Sequence, residues 1–225
     1  MEEKLIRAAK PIGWLALAMG VISAWAVIFY APVEKIQGPI QKIMYIHVPS
    51  AIAAYASFTV VAVSGGFYLV QKREVWDRVA RCAAEIGILF CSIVLGTGPF
   101  WGKAIWGAWW VWDAKLTSTL ILWLVYISYF ILRRAVPSEQ GARFAAVLGI
   151  VGLLDVPFIH VAADKFRTLH PPNVMKGGMT PEMGLTLVLS IGAVLLFMVY
   201  LLARRVEIEG MRDEIRSIEA SMEPA

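Results

Sequence analysis

The chain has 225 residues, 59% of them apolar and only 17% charged, with a mean hydropathy of +0.66. That apolar share exceeds the roughly 45–50% of ordinary soluble domains and predicts a polytopic membrane protein. The net charge of +4 is spread over several short loops, which argues against a nucleic-acid partner, and no G-x-x-x-x-G-K-[ST] loop is present for nucleotide hydrolysis.

A bilayer core takes about 20 apolar residues per helix. Six segments qualify, predicting an all-α bundle of six transmembrane helices at residues 12–30, 49–70, 83–100, 117–132, 144–163 and 184–203. The first run is longer than the apolar part of a signal peptide and no A-x-A site follows it, so a retained span is expected. The second opens with YIHVPSA. Pro49 suits the first turn of a helix, where its missing N–H costs nothing, so His47 is expected at the helix mouth. Cys82 and Cys91 accompany the third run at a spacing that matches neither a CxxC motif nor a zinc site, and read as small buried residues. Glu85 lies close enough to the end of that run to be solvated.

Between the third and fourth runs comes WGKAIWGAWWVWD. This stretch holds five of the nine tryptophans: Trp101, Trp106, Trp109, Trp110 and Trp112, ending at Asp113. It is expected to be a loop at the membrane surface, with Asp113 capping the next helix. Trp14, Trp25, Trp76 and Trp123 are explained by the usual interfacial belt, but five in thirteen residues, interleaved with Gly98, Gly102 and Gly107, exceed it. The fifth run contains Asp155, expected to make a polar interhelical contact or serve transport, and Pro157, expected to bend the helix. His160 closes it, as a core histidine or a third ligand. The following loop, ADKFRTLHPPN, carries Lys165, Arg167 and His170. A residue before proline is pushed toward extended backbone, so His170 belongs on loop rather than helix. Residues 204–225 alternate charged and apolar side chains and predict a short amphipathic tail on a single domain spanning 1–225.

Lysine and arginine counts orient the bundle. Fourteen lie on the side of the termini and seven on the other: Lys35, Lys42, Lys103, Lys115, Lys165, Arg167 and Lys176. Both termini are thus expected in the cytoplasm, which puts His47, His170 and the tryptophan cluster together on the outer face. A dense aromatic shelf covers a flat apolar ring well, and imidazole nitrogens bind iron axially. Haem is the ligand this combination suggests, with His47 and His170 as two candidate axial nitrogens. Read one at a time, His47 is first an interfacial side chain with a hydrogen bond and His170 a surface histidine; the pair together with the tryptophan shelf on one face favours ligation.

WGKAIWGAWWVWDAKLTS resembles the signature of the tryptophan-rich, haem-handling family. YIHVPSA and RTLH are similar to its two flanking histidine motifs, and six spans match its CcmC (haem exporter protein C) branch over nearly the whole chain. The resemblance implies a non-catalytic protein of a bacterial inner membrane, part of cytochrome c biogenesis. It would bind haem b at the outer, periplasmic face and present it to the haem chaperone CcmE, working with CcmA, CcmB and CcmD. It also implies that His47 and His170 are the axial ligands. Trp101, Trp106, Trp109, Trp110, Trp112 and Asp113 would form the platform for haem and chaperone. The chain departs from the family pattern where Lys165 and Phe166 replace a tryptophan pair, which with Arg167 offers cations to haem propionates, and at Asp155, where a neutral polar residue is more usual. Two other functions are compatible with a haem-binding bundle: a b-type cytochrome subunit of a redox enzyme, and a haem-transport channel. Ligands bordering prolines at one surface argue against the first. No polar path through the spans is evident for the second.

Overall fold

The computed structural model describes residues 2–136, 139–165 and 179–222. Its regular elements are all helical: α1 (Glu2–Trp25), α2 (Met44–Gln71), α3 (Glu74–Trp106), α4 (Ala114–Ala135), α5 (Glu139–Leu153), α6 (Asp155–Lys165) and α7 (Pro181–Met222). Six helical stretches are long and apolar enough to cross a membrane, as the composition requires. The chain is a multi-pass, all-α membrane protein.

Helix α2 is the hub, packing on α3, α5 and α7. At its centre Phe58 stacks on Tyr126 of α4 with ring centroids 3.8 Å apart, and Tyr126 donates its hydroxyl proton to the Gly149 carbonyl of α5 at 2.9 Å. Cys82 and Cys91 are both buried free thiols of this core. Helix α1 lies outside, along α7, and leaves Trp14, Leu17 and Val21 exposed on its outer side. A π turn at Ala26–Tyr30 ends this first span, and Lys42 crosses to cap it, donating to the Val27 carbonyl at 2.6 Å and the Ile28 carbonyl at 3.3 Å.

Several sequence expectations are corrected. Helix α2 begins at Met44, after a 3-10 turn at Pro39–Ile43, so Pro49 lies inside the helix and His47 within its first turn. The fifth span breaks at Leu154 into α5 and α6, one turn before Pro157, where the ring has no N–H for the Leu153 carbonyl and clashes with it. Leu154 bonds Val151 at 3.0 Å in the tighter i→i−3 pattern, and Asp155 opens α6, where a carboxylate suits the positive helix end. Trp123 is no belt residue, since it sits mid-way along α4 and donates its indole N–H to Ser92 Oγ at 2.9 Å. Finally, residues 204–222 are no separate tail helix but the continuation of α7.

That continuation packs through salt bridges. Arg78 meets Asp213 at 2.9 Å and Arg81 meets Glu209 at 3.0 Å. Glu209, 6% exposed, also takes Arg205 at 3.1 Å and Arg212 at 2.7 Å. Glu85 is paired rather than simply solvated: Arg205 holds both its carboxylate oxygens, at 2.6 and 2.9 Å. Arg133 of α4 does the same to Asp77, at 2.6 and 2.8 Å. One end of the bundle is therefore ionic. The other is aromatic.

Candidate functional site

The tryptophan cluster is half helix and half loop. Helix α3 runs on through Trp101 to Trp106 and stops at Gly107, whose φ of +75° is the left-handed value a C-cap needs and a side chain resists. Lys103 Nζ then donates to the Gly107 carbonyl at 2.9 Å, a cation at the negative end of the helix. The loop folds back over the helix mouth until Asp113 ends it. The Asp113 carboxylate accepts from the Leu116 N–H at 2.8 Å, the N-cap of α4.

Beneath this loop is a cavity of about 390 Å³. Its wall includes His47 and Tyr55 of α2, Trp101 and Trp106 of α3, Trp109 and Trp110 of the loop, Lys115 of α4, Ile159 of α6 and Leu187 of α7. Five helices thus converge on it. Trp112 does not line it, but is exposed and meets Trp110 edge-on at 5.6 Å. Trp109, also exposed, meets Phe100 edge-on at 5.4 Å.

His47 is the best-fixed side chain of the site and only 9% exposed. Its ring stands edge-on to Trp101, with centroids 5.8 Å apart and planes at 78°. Gly98 makes room for it, because a Cβ there would lie 3.3 Å from His47 Cε1. His47 Nδ1 lies 2.9 Å from Thr97 Oγ1. The Thr97 hydroxyl in turn donates to the Ile93 carbonyl of its own helix at 2.7 Å. A hydroxyl has one proton, so Thr97 accepts from His47, and the network assigns the proton to Nδ1. The lone pair then belongs to Nε2, the arrangement a metal-binding imidazole uses, with its second nitrogen held by a hydrogen bond.

Two further polar groups shape the cavity. Trp101 Nε1 donates to Gln37 Oε1 at 2.9 Å, tying the helix to the loop before α2. Trp110 Nε1 is buried with no hydrogen-bond acceptor among the described residues, a cost of about 1–3 kcal/mol for a buried donor unless something else accepts from it.

The sequence model of the family described as Heme exporter protein C matches residues 3–221. The chain belongs to the CcmC, or haem exporter protein C, family. A protein of that name from Bradyrhizobium diazoefficiens is 38% identical over 220 residues, covering 94% of this chain and 83% of the relative. The Heme exporter protein C of Escherichia coli strain K12 is 36% identical over 177 residues, covering 76% and 72%. A ccmC-like mitochondrial protein of Marchantia polymorpha, described as a cytochrome c biosynthesis protein, is 35% identical over 161 residues, covering 71% and 67%.

Within this CcmC-family chain the structure gathers His47 and four of the five clustered tryptophans around one cavity, and leaves Trp112 on the rim. His160 lies on α6 beside the wall residue Ile159, and Lys165 is the exposed last residue of that helix. His170 and Arg167 lie outside the described residues. Sequence reasoning missed Thr97, Gln37 and Tyr55. A signal for Thr97 did exist: it stands four residues before Trp101, hence on the same helix face, next to a glycine.

Proposed function

We propose that this chain binds haem at the outer face of a bacterial inner membrane and delivers it to the haem chaperone CcmE in cytochrome c biogenesis. In this reading it acts as one subunit of a complex with CcmA, CcmB and CcmD. It is a carrier, not a catalyst, and haem b is its cargo.

The observation that carries the reading is His47 on the wall of an aromatic cavity, its Nδ1 held 2.9 Å from Thr97 Oγ1. A single histidine among tryptophans is a poor donor set for a bare ion. Haem iron brings four ring nitrogens of its own and needs only axial ligands. Flat indoles suit the macrocycle, and Lys115 offers a cation to a propionate. His170 is the second axial ligand in this proposal, supported by the prolines that follow it and by its match to the family's motif. Lys165 and Arg167 are accessory cations for the propionates. The exposed Trp109 and Trp112 supply the face on which CcmE docks. The outer-face assignment is supported by the excess of Lys and Arg on the side of the termini.

The test is the visible absorption spectrum of the purified chain in detergent, supplied with haem, beside His47→Ala, His160→Ala and His170→Ala. The expected result is a six-coordinate bis-imidazole spectrum that His47→Ala and His170→Ala each disrupt and His160→Ala leaves intact. A spectrum indifferent to His47→Ala would overturn the site. Loss on His160→Ala in place of His170→Ala would reassign the second ligand. In a loading assay, Trp109→Ala with Trp110→Ala should lower transfer to CcmE more than it lowers the amount of protein in the membrane; normal loading would remove the platform.

A further inference from the structure

A second concavity, which shares no lining residue with the aromatic cavity, lies between α1 and α7 and has a volume of about 890 Å³. Small residues of α1 create it: Gly13, Ala16, Gly20 and Ala24 follow one another down the face turned to α7. At Gly13 the helices touch, since a Cβ there would lie 2.8 Å from the Tyr200 ring. At Gly20 they do not, and a Cβ would meet nothing within 4 Å. Toward the other end Ser23 Oγ and Ser190 Oγ hydrogen-bond at 2.8 Å and hold the helices together. The crevice is thus a built gap in a lipid-facing pair of helices, not a fraying of one from the other.

Its lining has a polarity gradient. Almost all of the wall is aliphatic or aromatic, but Lys10 and Arg204 both line it, and Arg204 is next to Arg205 of the ionic end of the bundle. Lys10 is exposed. Arg204 is 41% exposed and gives one donor to Glu207, while a guanidinium carries five. Trp14, one turn along from Lys10 and 73% exposed, marks the level of the membrane interface. Two cations at the interface above an apolar trough match an amphiphile with an anionic head and hydrocarbon tails, and basic pockets between helices on the cytoplasmic side are where such headgroups bind. A partner helix would fit the trough but brings no anion to Lys10 or to the donors of Arg204 that Glu207 does not take.

We infer that the α1–α7 crevice is a binding site for an anionic phospholipid of the leaflet at the ionic end, with its phosphate between Lys10 and Arg204 and an acyl chain along Gly20. The site is independent of the haem reading.

The test is native mass spectrometry of the full chain in detergent, titrated with palmitoyl-oleoyl-phosphatidylglycerol or with the phosphatidylcholine of the same chains. The wild type should retain phosphatidylglycerol in preference. Each of Lys10→Gln and Arg204→Gln should lower that preference about fivefold, the effect of one basic residue near an anionic surface. Gly20→Phe, which has open space to fill, should displace both lipids. Equal retention of the two lipids by the wild type would overturn the proposal. So would an unchanged preference in the Lys10→Gln, Arg204→Gln double variant, with circular dichroism and gel filtration showing that variant to be folded. Cross-linking of a Gly20→Cys variant to another polypeptide in membranes, rather than to lipid, would likewise overturn it and make the crevice a helix-docking groove.

Discussion

The two ends of this bundle handle polar groups in opposite ways. At the ionic end, Asp77, Arg78, Arg81 and Glu85 of α3 meet Arg133 of α4 and Arg205, Glu209 and Asp213 of α7 in contacts of 2.6–3.0 Å. The charged groups answer one another within the chain, although Arg81 Nε and the Tyr129 hydroxyl have no hydrogen-bond partner among the described residues. At the aromatic end the groups surround a space: an imidazole held at Nδ1 by Thr97, an indole N–H buried with no acceptor among the described residues, and a cavity of about 390 Å³ that both His47 and Trp110 line. Charges that satisfy one another mark scaffold. Donors arranged around a space mark a place for something that arrives.

The comparison breaks most visibly at Glu209. Replacing it with Ala strips one partner each from Arg81, Arg205 and Arg212. A fully buried pair broken this way costs about 3–5 kcal/mol, and because Arg81 and Arg205 are 23% and 26% exposed, about 2 kcal/mol is expected here. Thermal unfolding in detergent reads it as a lower midpoint, while haem affinity per folded molecule should not change. A fall in that affinity would mean that the two ends are coupled and the division fails.

The next effect belongs to Thr97. Thr97→Val keeps the volume but removes the acceptor for His47 Nδ1–H. Outer-shell partners of metal-binding histidines are worth about 10–100-fold in affinity, so a haem titration should show roughly tenfold weaker binding with little change in unfolding temperature. Thr97→Ser should restore it. If Val binds haem as well as Thr does, the hydroxyl does not set the tautomer.

What the sequence revealed, and what it hid, follows the same division. Six spans were legible because continuous apolar runs need no partner to be recognised. The Asp113 cap was legible because it is local, a carboxylate three residues before the N–H it accepts from. The cavity was legible only as a cluster of residue types: five tryptophans announce an aromatic site, but which of them face inward depends on where α3 stops, and apolar periodicity does not mark that point. The ionic end was illegible, because Glu85 and Arg205 are 120 residues apart and nothing local pairs them. The same holds for the run of α7 beyond the membrane, whose helix continues because Glu209 and Asp213 find arginines on α3.

The smallest effect tests how the aromatic end is held shut. The loop from Gly107 to Asp113 is anchored at one side by the left-handed glycine and the Lys103 contact, and at the other by the Asp113 cap. Asp113→Ala removes the cap and should cost about 1 kcal/mol, seen as a slightly lower unfolding midpoint. Asp113→Asn can still accept from Leu116 N–H and should recover most of it. The informative readout is tryptophan emission. Trp109 and Trp110 sit within four residues of the cap, so a loosened loop should shift their fluorescence to the red in Ala but not in Asn. A red shift of equal size in both variants would mean that the carboxylate charge, and not the cap, holds the loop over the cavity.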